Sequence, residues 1–234
     1  MSDYFKYKEL VIWQNECALK VGTDGVLTGE WACRLLSEAD RTSVDNSAIN
    51  LLDIGTGTGL ISLMIARQFH NLSITAIDID EQSVRQAMKN VQANGFYERI
   101  KVHHADFVHI DNNPNIFNKK FNFIVTNPPF YEEDTHGDNA REDAAKHTTA
   151  LTFTQLIDGV CQCLTADGMF MLILPHSVTL NFIALCAERS LYLTHRCNVY
   201  TSEKNRRTGT PKRTLLAFSR HIIQTNHISD IVLI

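Results

Sequence analysis

The chain has 234 residues, a formal net charge of -4, 44% hydrophobic residues and 21% charged ones. This suits one large soluble domain, or one with a small extension, able to bury a core without staples. It excludes a chain-wide electrostatic nucleic-acid binder, so any RNA contact must come from a local basic patch.

In chain order, residues 1–46 form a leader. Lys20 to Gly25 places two glycines in a loop, and a helix is expected over 26–38. Residues 40–50 are polar and read as a linker into the core. Residues 49–54 form a short apolar strand ending in Asp53 and glycines. Residues 60–69 have helical spacing, with Leu60, Leu63 and Met64 on one face. Residues 73–78 are a second strand. A helix is expected over 81–94, with Asp80 as N-cap and Gly95 at its end. Residues 100–103 are a short strand. The strand at 121–126 stops at Asn127-Pro128-Pro129, because consecutive prolines cannot sit in a central strand. Residues 131–147 are polar and read as a loop. A helix over 153–164, a strand over 168–174 and a helix over 178–189 follow. Two strand-like runs, 191–200 and 213–220, flank the polar and basic stretch 202–212.

Strands alternating with helices predict an α/β, doubly wound, mostly parallel sheet with helices on both faces. Two units are expected: a leader and helix over 1–46 covering the active site, and the main domain over 47–234. Ligands of such sheets bind beyond the carboxyl ends of the strands. Asp53, Gly55, Asp78, Asp106 and Asn127 all fall at or just past strand ends.

The first chemical motif is Asp53-Ile54-Gly55-Thr56-Gly57-Thr58-Gly59. Three alternating glycines at a strand-to-helix turn let a ligand approach the backbone closely. The spacing is G-x-G-x-G, not the G-x-G-x-x-G of dinucleotide sites. The preceding Asp53 would oppose a pyrophosphate. It suits an ammonium-bearing ligand such as a methionine moiety, reached directly or through water. Asp78, closing the next strand, is placed to accept from ribose hydroxyls. Asp106, after the third strand, is placed to accept from an adenine amino group. This set resembles the class I S-adenosylmethionine-dependent methyltransferases over about residues 50–175. The resemblance implies a Rossmann-like methyltransferase sheet and S-adenosylmethionine as cofactor.

The second motif is Asn127-Pro128-Pro129-Phe130. An exocyclic amine conjugated to a ring is a poor nucleophile, because its lone pair is delocalised. The Asn127 side-chain oxygen and the Pro128 carbonyl can accept its two N–H bonds and favour charge build-up on nitrogen. Proline stiffens the arrangement, and Phe130 offers a stacking face. Positioning is worth several kcal/mol of barrier, so no strong base is needed. The tetrapeptide resembles the (N/D)PP(Y/F) motif of methyltransferases acting on conjugated amino groups. It does not separate adenine from guanine amines or from a glutamine amide. A target base must be flipped or unpaired.

Lys20 to Ala32, Arg141 to His147 and Pro211 to Leu216 resemble the tRNA(Val) adenine-37 N6-methyltransferases. That resemblance implies a tRNA adenine as substrate, with Lys20 to Asp24 closing over the cofactor or target pocket. On this reading Lys20, Thr23, Asp53, Gly55, Gly57, Gly59, Asp78, Asp106 and Asn127 hold the cofactor. Lys204, Arg206, Arg207, Lys212 and Arg213 form an RNA-backbone patch, extended toward the active site by Arg141, Lys146 and His147. The family usually continues past the equivalent of Ile234 with an apolar-aromatic ending; this chain stops at Asp230 to Ile234. The alternatives are an rRNA guanine or a protein glutamine as acceptor, and a non-catalytic RNA-binding module. Against the module stands the intact set Asp53, Asp78, Asp106 and Asn127.

The six cysteines show no CxxC spacing and form no zinc ligand set with the ten histidines. Reduced, packed thiols and no metal are expected. The start, Met1 to Lys6, lacks a signal-like apolar run, and no run reaches membrane-spanning length. A cytoplasmic monomer is expected.

Overall fold

Apolar runs and amphipathic segments alternate, and in the computed structural model they assemble around one sheet. The structure describes residues 3–17, 19–40, 49–128, 151–222 and 227–233. An antiparallel hairpin of β1 (Tyr4–Tyr7) and β2 (Leu10–Trp13) comes first, then α1 (Thr23–Asp40). β3 (Ile49–Ile54), α2 (Leu60–Gln68), β4 (Leu72–Asp78), α3 (Glu81–Ala93) and β5 (Ile100–His104) make the first winding. A 3-10 turn (Phe107–Asn112) and the one-turn α4 (Pro114–Phe117) lead to β6 (Phe121–Thr126). α5 (Phe153–Cys163), β7 (Leu164–Pro175), α6 (Thr179–Ala187) and β8 (Tyr192–Tyr200) follow. α7 (Glu203–Arg207), β9 (Arg213–Ser219) and β10 (His227–Val232) complete the described chain.

The sheet has eight strands in the order β10-β8-β9-β7-β6-β3-β4-β5. β9 runs antiparallel to both neighbours, and every other pair is parallel. The chain winds outward from β3 to β5, then returns to lay β6 beside β3. That reversal opens a crevice at the carboxyl ends of β3 and β6. Ile54 and Thr126 stand opposite one another in register, and the Thr126 hydroxyl donates to the Ile54 carbonyl at 2.8 Å.

Strands covered on both faces read as continuous apolar runs because each face needs its own partners. Leu51, Val125, Met171 and Ile173 join Trp31 and Leu35 of α1, Leu63 of α2 and Leu10 and Ile12 of the hairpin. Leu52, Ile124, Phe170 and Leu172 point the other way, onto Leu156 and Ile157 of α5 and Phe182 of α6. The doubly wound sheet with helices on both faces is therefore as expected.

Several boundaries differ. α1 begins at Thr23, so Thr23, Asp24 and Gly25 form its first turn and are not loop. Gly25 lies so close to α2 that a β-carbon there would sit 3.2 Å from Leu60 Cδ2, a contact no local pattern reveals. β7 starts at Leu164, four residues before the expected strand. The basic stretch contains α7, capped by the Ser202 hydroxyl accepting from Asn205 N–H. The hairpin and β10 are not among the expected strands, although Leu10 to Trp13 is an apolar, β-branched run. β10 is half exposed and is held parallel along β8. Of the expected linker at 40–50, Asp40 ends α1 and residues 49–50 begin β3, while 41–48, like the loop at 131–147, lie outside the described residues.

All six cysteines are free, and four are buried. Burial pushes the Cys33 thiol up to about 12 and that of Cys163 up to about 11, so both pack as neutral hydrophobes.

Candidate active site

The glycine turn follows β3 without a break. Gly55 and Gly57 have φ of +68° and +55°, a region that penalises any β-carbon. A β-carbon at either would meet nothing within 4 Å. Glycine is therefore required there by backbone conformation, and the space beside it is open to a ligand.

Asp53 lies beneath this turn, fully buried. Its Oδ2 accepts from the Thr56 hydroxyl at 2.7 Å and the Ser62 hydroxyl at 2.6 Å. Its Oδ1 is buried with no hydrogen-bond partner among the described residues. Burial pushes the carboxyl up to about 6, with the two hydroxyls opposing the rise. A buried carboxylate oxygen lacking a donor is costly unless a cation or water bonds it. An ammonium group over the turn, directly or through water, fits that need.

Asp78, at the end of β4, closes the same turn. Its Oδ2 accepts from Gly57 N–H at 2.8 Å and its Oδ1 from Asp80 N–H at 2.9 Å. Burial raises its carboxyl above the ordinary range, partly offset by these amides. Each oxygen keeps acceptor capacity for hydroxyls. Asp80 caps α3, accepting from Gln82 and Ser83 amides, as expected. Asp106 caps the 3-10 turn through Val108 N–H at 2.9 Å, and its Oδ2 lies 3.8 Å from His109 Nε2.

Asn127 is the first residue beyond β6, half-buried, across the crevice from the glycine turn; Pro128 behind it is buried. A β-carbon on Gly25 would come within 3.8 Å of Asn127 Nδ2. The first turn of α1 thus roofs the amide. A cavity of about 360 Å³ opens there, lined by Lys20, Thr23, Asp24, Asn127, Lys212 and Arg213 among others. Its size suits a nucleobase. The structure therefore gathers Lys20 and Thr23 with Asn127 and the start of β9, while Asp53, Asp78 and the glycines cluster at β3 and β4. Pro129, Phe130, Arg141, Lys146 and His147 lie outside the described residues.

Among the basic residues, Arg213 donates to Asp24 at 2.9 Å and so links β9 to α1. Arg206 faces Glu203 and Asp230 at 3.7 and 3.6 Å. Lys204, Arg207 and Lys212 are exposed and hold no ion pair among the described residues. Sequence reasoning missed Thr56 and Ser62 as partners of Asp53, and gave Asp24 only within the Lys20 to Asp24 segment, without its link to Arg213. The hydroxyls sit three and nine residues past Asp53, and only the fold of the turn and α2 brings both onto one oxygen. No group of His, Cys, Asp or Glu among the described residues could hold a metal ion.

The raised carboxyl of Asp53 predicts a pH dependence. An ammonium group held there would need the ionised carboxylate, so affinity for such a ligand is expected to fall about tenfold per pH unit below about 6. Calorimetry with S-adenosylmethionine from pH 5 to 8 measures it, and Asp53→Asn should flatten the curve. For the chain without ligand the sign is opposite. The raised carboxyl stabilises the fold below its ordinary 3.8, and that contribution is lost as pH rises through about 6.

A glycine turn and acids at successive strand ends, facing an amide across the switch point, place the chain among the Rossmann-like methyltransferases. Solved structures agree on the fold. An S-adenosylmethionine-dependent methyltransferase from Agrobacterium tumefaciens superposes with TM-score 0.65 at 15% identity, covering 94% of this chain and 71% of that one. A ribosomal protein L11 methylase from Lactobacillus delbrueckii subsp. bulgaricus gives 0.59 at 18%, covering 87% and 81%. Residues 32–183 match the methyltransferase small domain family. The tRNA1(Val) (adenine(37)-N6)-methyltransferase of Bacteroides thetaiotaomicron is 37% identical over 217 residues, 92% of this chain and 83% of that protein. The one from Flavobacterium johnsoniae is 33% identical over 233 residues, 98% and 90%. The chain belongs to the methyltransferase small domain family, and within it to the tRNA1(Val) (adenine(37)-N6)-methyltransferases.

Proposed function

We propose that the chain transfers a methyl group from S-adenosylmethionine to N6 of an unpaired adenine in tRNA, adenine 37 of tRNA(Val). The observation that carries this is the position of Asn127. It stands one residue past β6, across the crevice from the glycine turn, on the wall of a base-sized cavity. The names of its relatives point to the same substrate.

Bound S-adenosylmethionine supplies an electrophilic methyl on a positively charged sulfur, which transfer leaves as a neutral thioether. Asp78 receives the ribose hydroxyls while its amide partners hold the glycine turn. Asp53 receives the ammonium group, and Asp106 the adenine amino group. The Asn127 oxygen and the Pro128 carbonyl accept the two N–H bonds of the target amine and orient its lone pair. These acceptors stabilise the positive charge that builds on the nitrogen as it gains the methyl, and the surplus proton then passes to solvent. Phe130, last in the motif, is assigned to stacking the base.

The tRNA backbone is assigned to Lys204, Arg207 and Lys212, the last of which lines the cavity. Arg206 and Arg213 contribute after exchanging their carboxylate partners. Removing Lys204 and Arg207 together should weaken tRNA binding and lower the slope of log Kd against log salt by about 1.4–1.8. Filter binding over a salt series reads this. No helix among the described residues is long and apolar enough to cross a membrane, and a cytoplasmic location accords with a tRNA substrate.

The reading is tested by incubating the chain with labelled methyl donor and total tRNA, then digesting to nucleosides. N6-methyladenosine is expected. Label in guanosine or in protein, with none in tRNA adenosine, overturns it.

A further inference from the structure

Among the described residues, the outer edge of β2 meets no strand; side-chain amides of α3 and its C-cap meet it instead. In a two-stranded hairpin, alternate residues of β2 turn their N–H and C=O away from β1. Here these are Val11 and Trp13. Asn94 Oδ1 accepts from Val11 N–H at 3.1 Å, and its Nδ2 donates to the Val11 carbonyl at 2.9 Å. Asn90 repeats the pattern: Oδ1 accepts from Trp13 N–H at 2.9 Å, and Nδ2 donates to the Trp13 carbonyl at 2.8 Å. Gln86 Oε1 accepts from Glu16 N–H at 3.1 Å. Residues 86, 90 and 94 are four apart, so they form one row on the helix. The Asn90 and Asn94 amides each imitate the peptide group of a neighbouring strand, and Gln86 adds a single bond beyond the end of β2.

Asn90 differs from the rest of the row. It is fully buried, and its second Nδ2 hydrogen goes to the Thr58 carbonyl at 2.8 Å. Thr58 stands between Gly57 and Gly59 in the cofactor turn, and its carbonyl fixes the peptide plane there. The same peptide's N–H, on Gly59, donates to the Thr56 carbonyl at 2.9 Å, so the turn's own backbone holds one side of that plane and Asn90 the other. One side chain therefore bonds the leader hairpin and the glycine turn at the same time.

Resting on the cofactor reading above, we propose that Asn90 is a positioning residue coupling the leader hairpin to the S-adenosylmethionine site. A docked hairpin holds the Asn90 amide in place, and the amide holds the turn in its binding conformation. Coupling of this kind is reciprocal, so bound cofactor tightens the hairpin in turn.

The full chain tests this by calorimetry with S-adenosylmethionine, with melting temperature and tRNA affinity measured alongside. Asn90→Asp keeps the acceptor for Trp13 N–H but removes both donated bonds. It should raise the cofactor Kd at least tenfold and leave tRNA affinity within about twofold. Asn94→Ala removes the bonds to Val11 without touching the turn, so it loosens the hairpin alone and should raise the cofactor Kd about two- to fourfold. Hydrogen exchange on the unmodified chain needs no variant to fold: saturating S-adenosylmethionine should slow the Trp13 amide at least threefold. A cofactor Kd unchanged in either variant, or an unchanged Trp13 amide on cofactor binding, overturns the coupling alone. An unmodified chain that does not bind S-adenosylmethionine overturns the proposed function as well.

Discussion

Asn127→Ala is expected to lower kcat by about a hundred- to a thousandfold while the Kd for S-adenosylmethionine stays within about twofold. The magnitude is that of removing one aimed hydrogen-bonding group from a reacting centre. The selectivity follows from placement. Asp53, Asp78 and the glycine turn cluster at the ends of β3 and β4, whereas Asn127 stands past β6 under the first turn of α1. Truncation also removes the only side chain of the described motif able to accept an amine N–H. Asn127→Asp keeps an acceptor and should recover part of the loss. Single-turnover methylation of tRNA, with calorimetry for the cofactor, separates the two quantities. A parallel collapse of cofactor affinity would place Asn127 in the cofactor site instead.

Asp78→Asn is expected to raise the cofactor Kd by about a hundredfold, despite near-identical shape. Both carboxylate oxygens already accept from backbone amides, Gly57 N–H and Asp80 N–H. An amide side chain has one oxygen, so whichever way it turns, an NH₂ faces an N–H donor. The variant therefore disturbs the glycine turn and, on the proposed assignment of Asp78, loses a charge-assisted acceptor for the ribose. Hydrogen bonds to a charged group are worth about 1.5–3 kcal/mol each, and two such losses give the stated factor or more. The effect should fall on cofactor affinity, with kcat at saturating cofactor lowered much less. Equal affinities for Asp78→Asn and the unmodified chain would show that the carboxylate does not hold the cofactor.

Most of the fold was legible because its strands are buried on both faces. Such strands are short apolar runs, and residues 49–54 and 121–126 read with the boundaries observed. Gly95, at φ +78°, and Asp80 marked the ends of α3 as their chemistry requires. The misses share one cause. The hairpin takes its edge bonds from amides some seventy to eighty residues away. Among the described strands β10 pairs only with β8, and the early start of α1 goes with its contact to α2. A local window contains none of these partners.

The same division runs through the site. Glycines at 55, 57 and 59, acids at 53, 78 and 106, and Asn127 before two prolines were all readable, because each answers a local demand. Positive φ needs glycine, a strand end needs a turn, and a ligand of given charge needs an acid. What was unreadable was how those groups meet. The adjacency of β3 and β6 sets Asn127 across from the turn. The folding back of α2 brings Ser62 onto Asp53 and leaves the other oxygen without a donor. The ion pair across 189 residues binds Arg213, read as an RNA contact, to Asp24 at the cavity wall. Residue type and short spacing express chemistry that acts over one turn or one strand. Contacts between elements distant in sequence arise when the sheet closes its strand order, and they exist only in the folded chain.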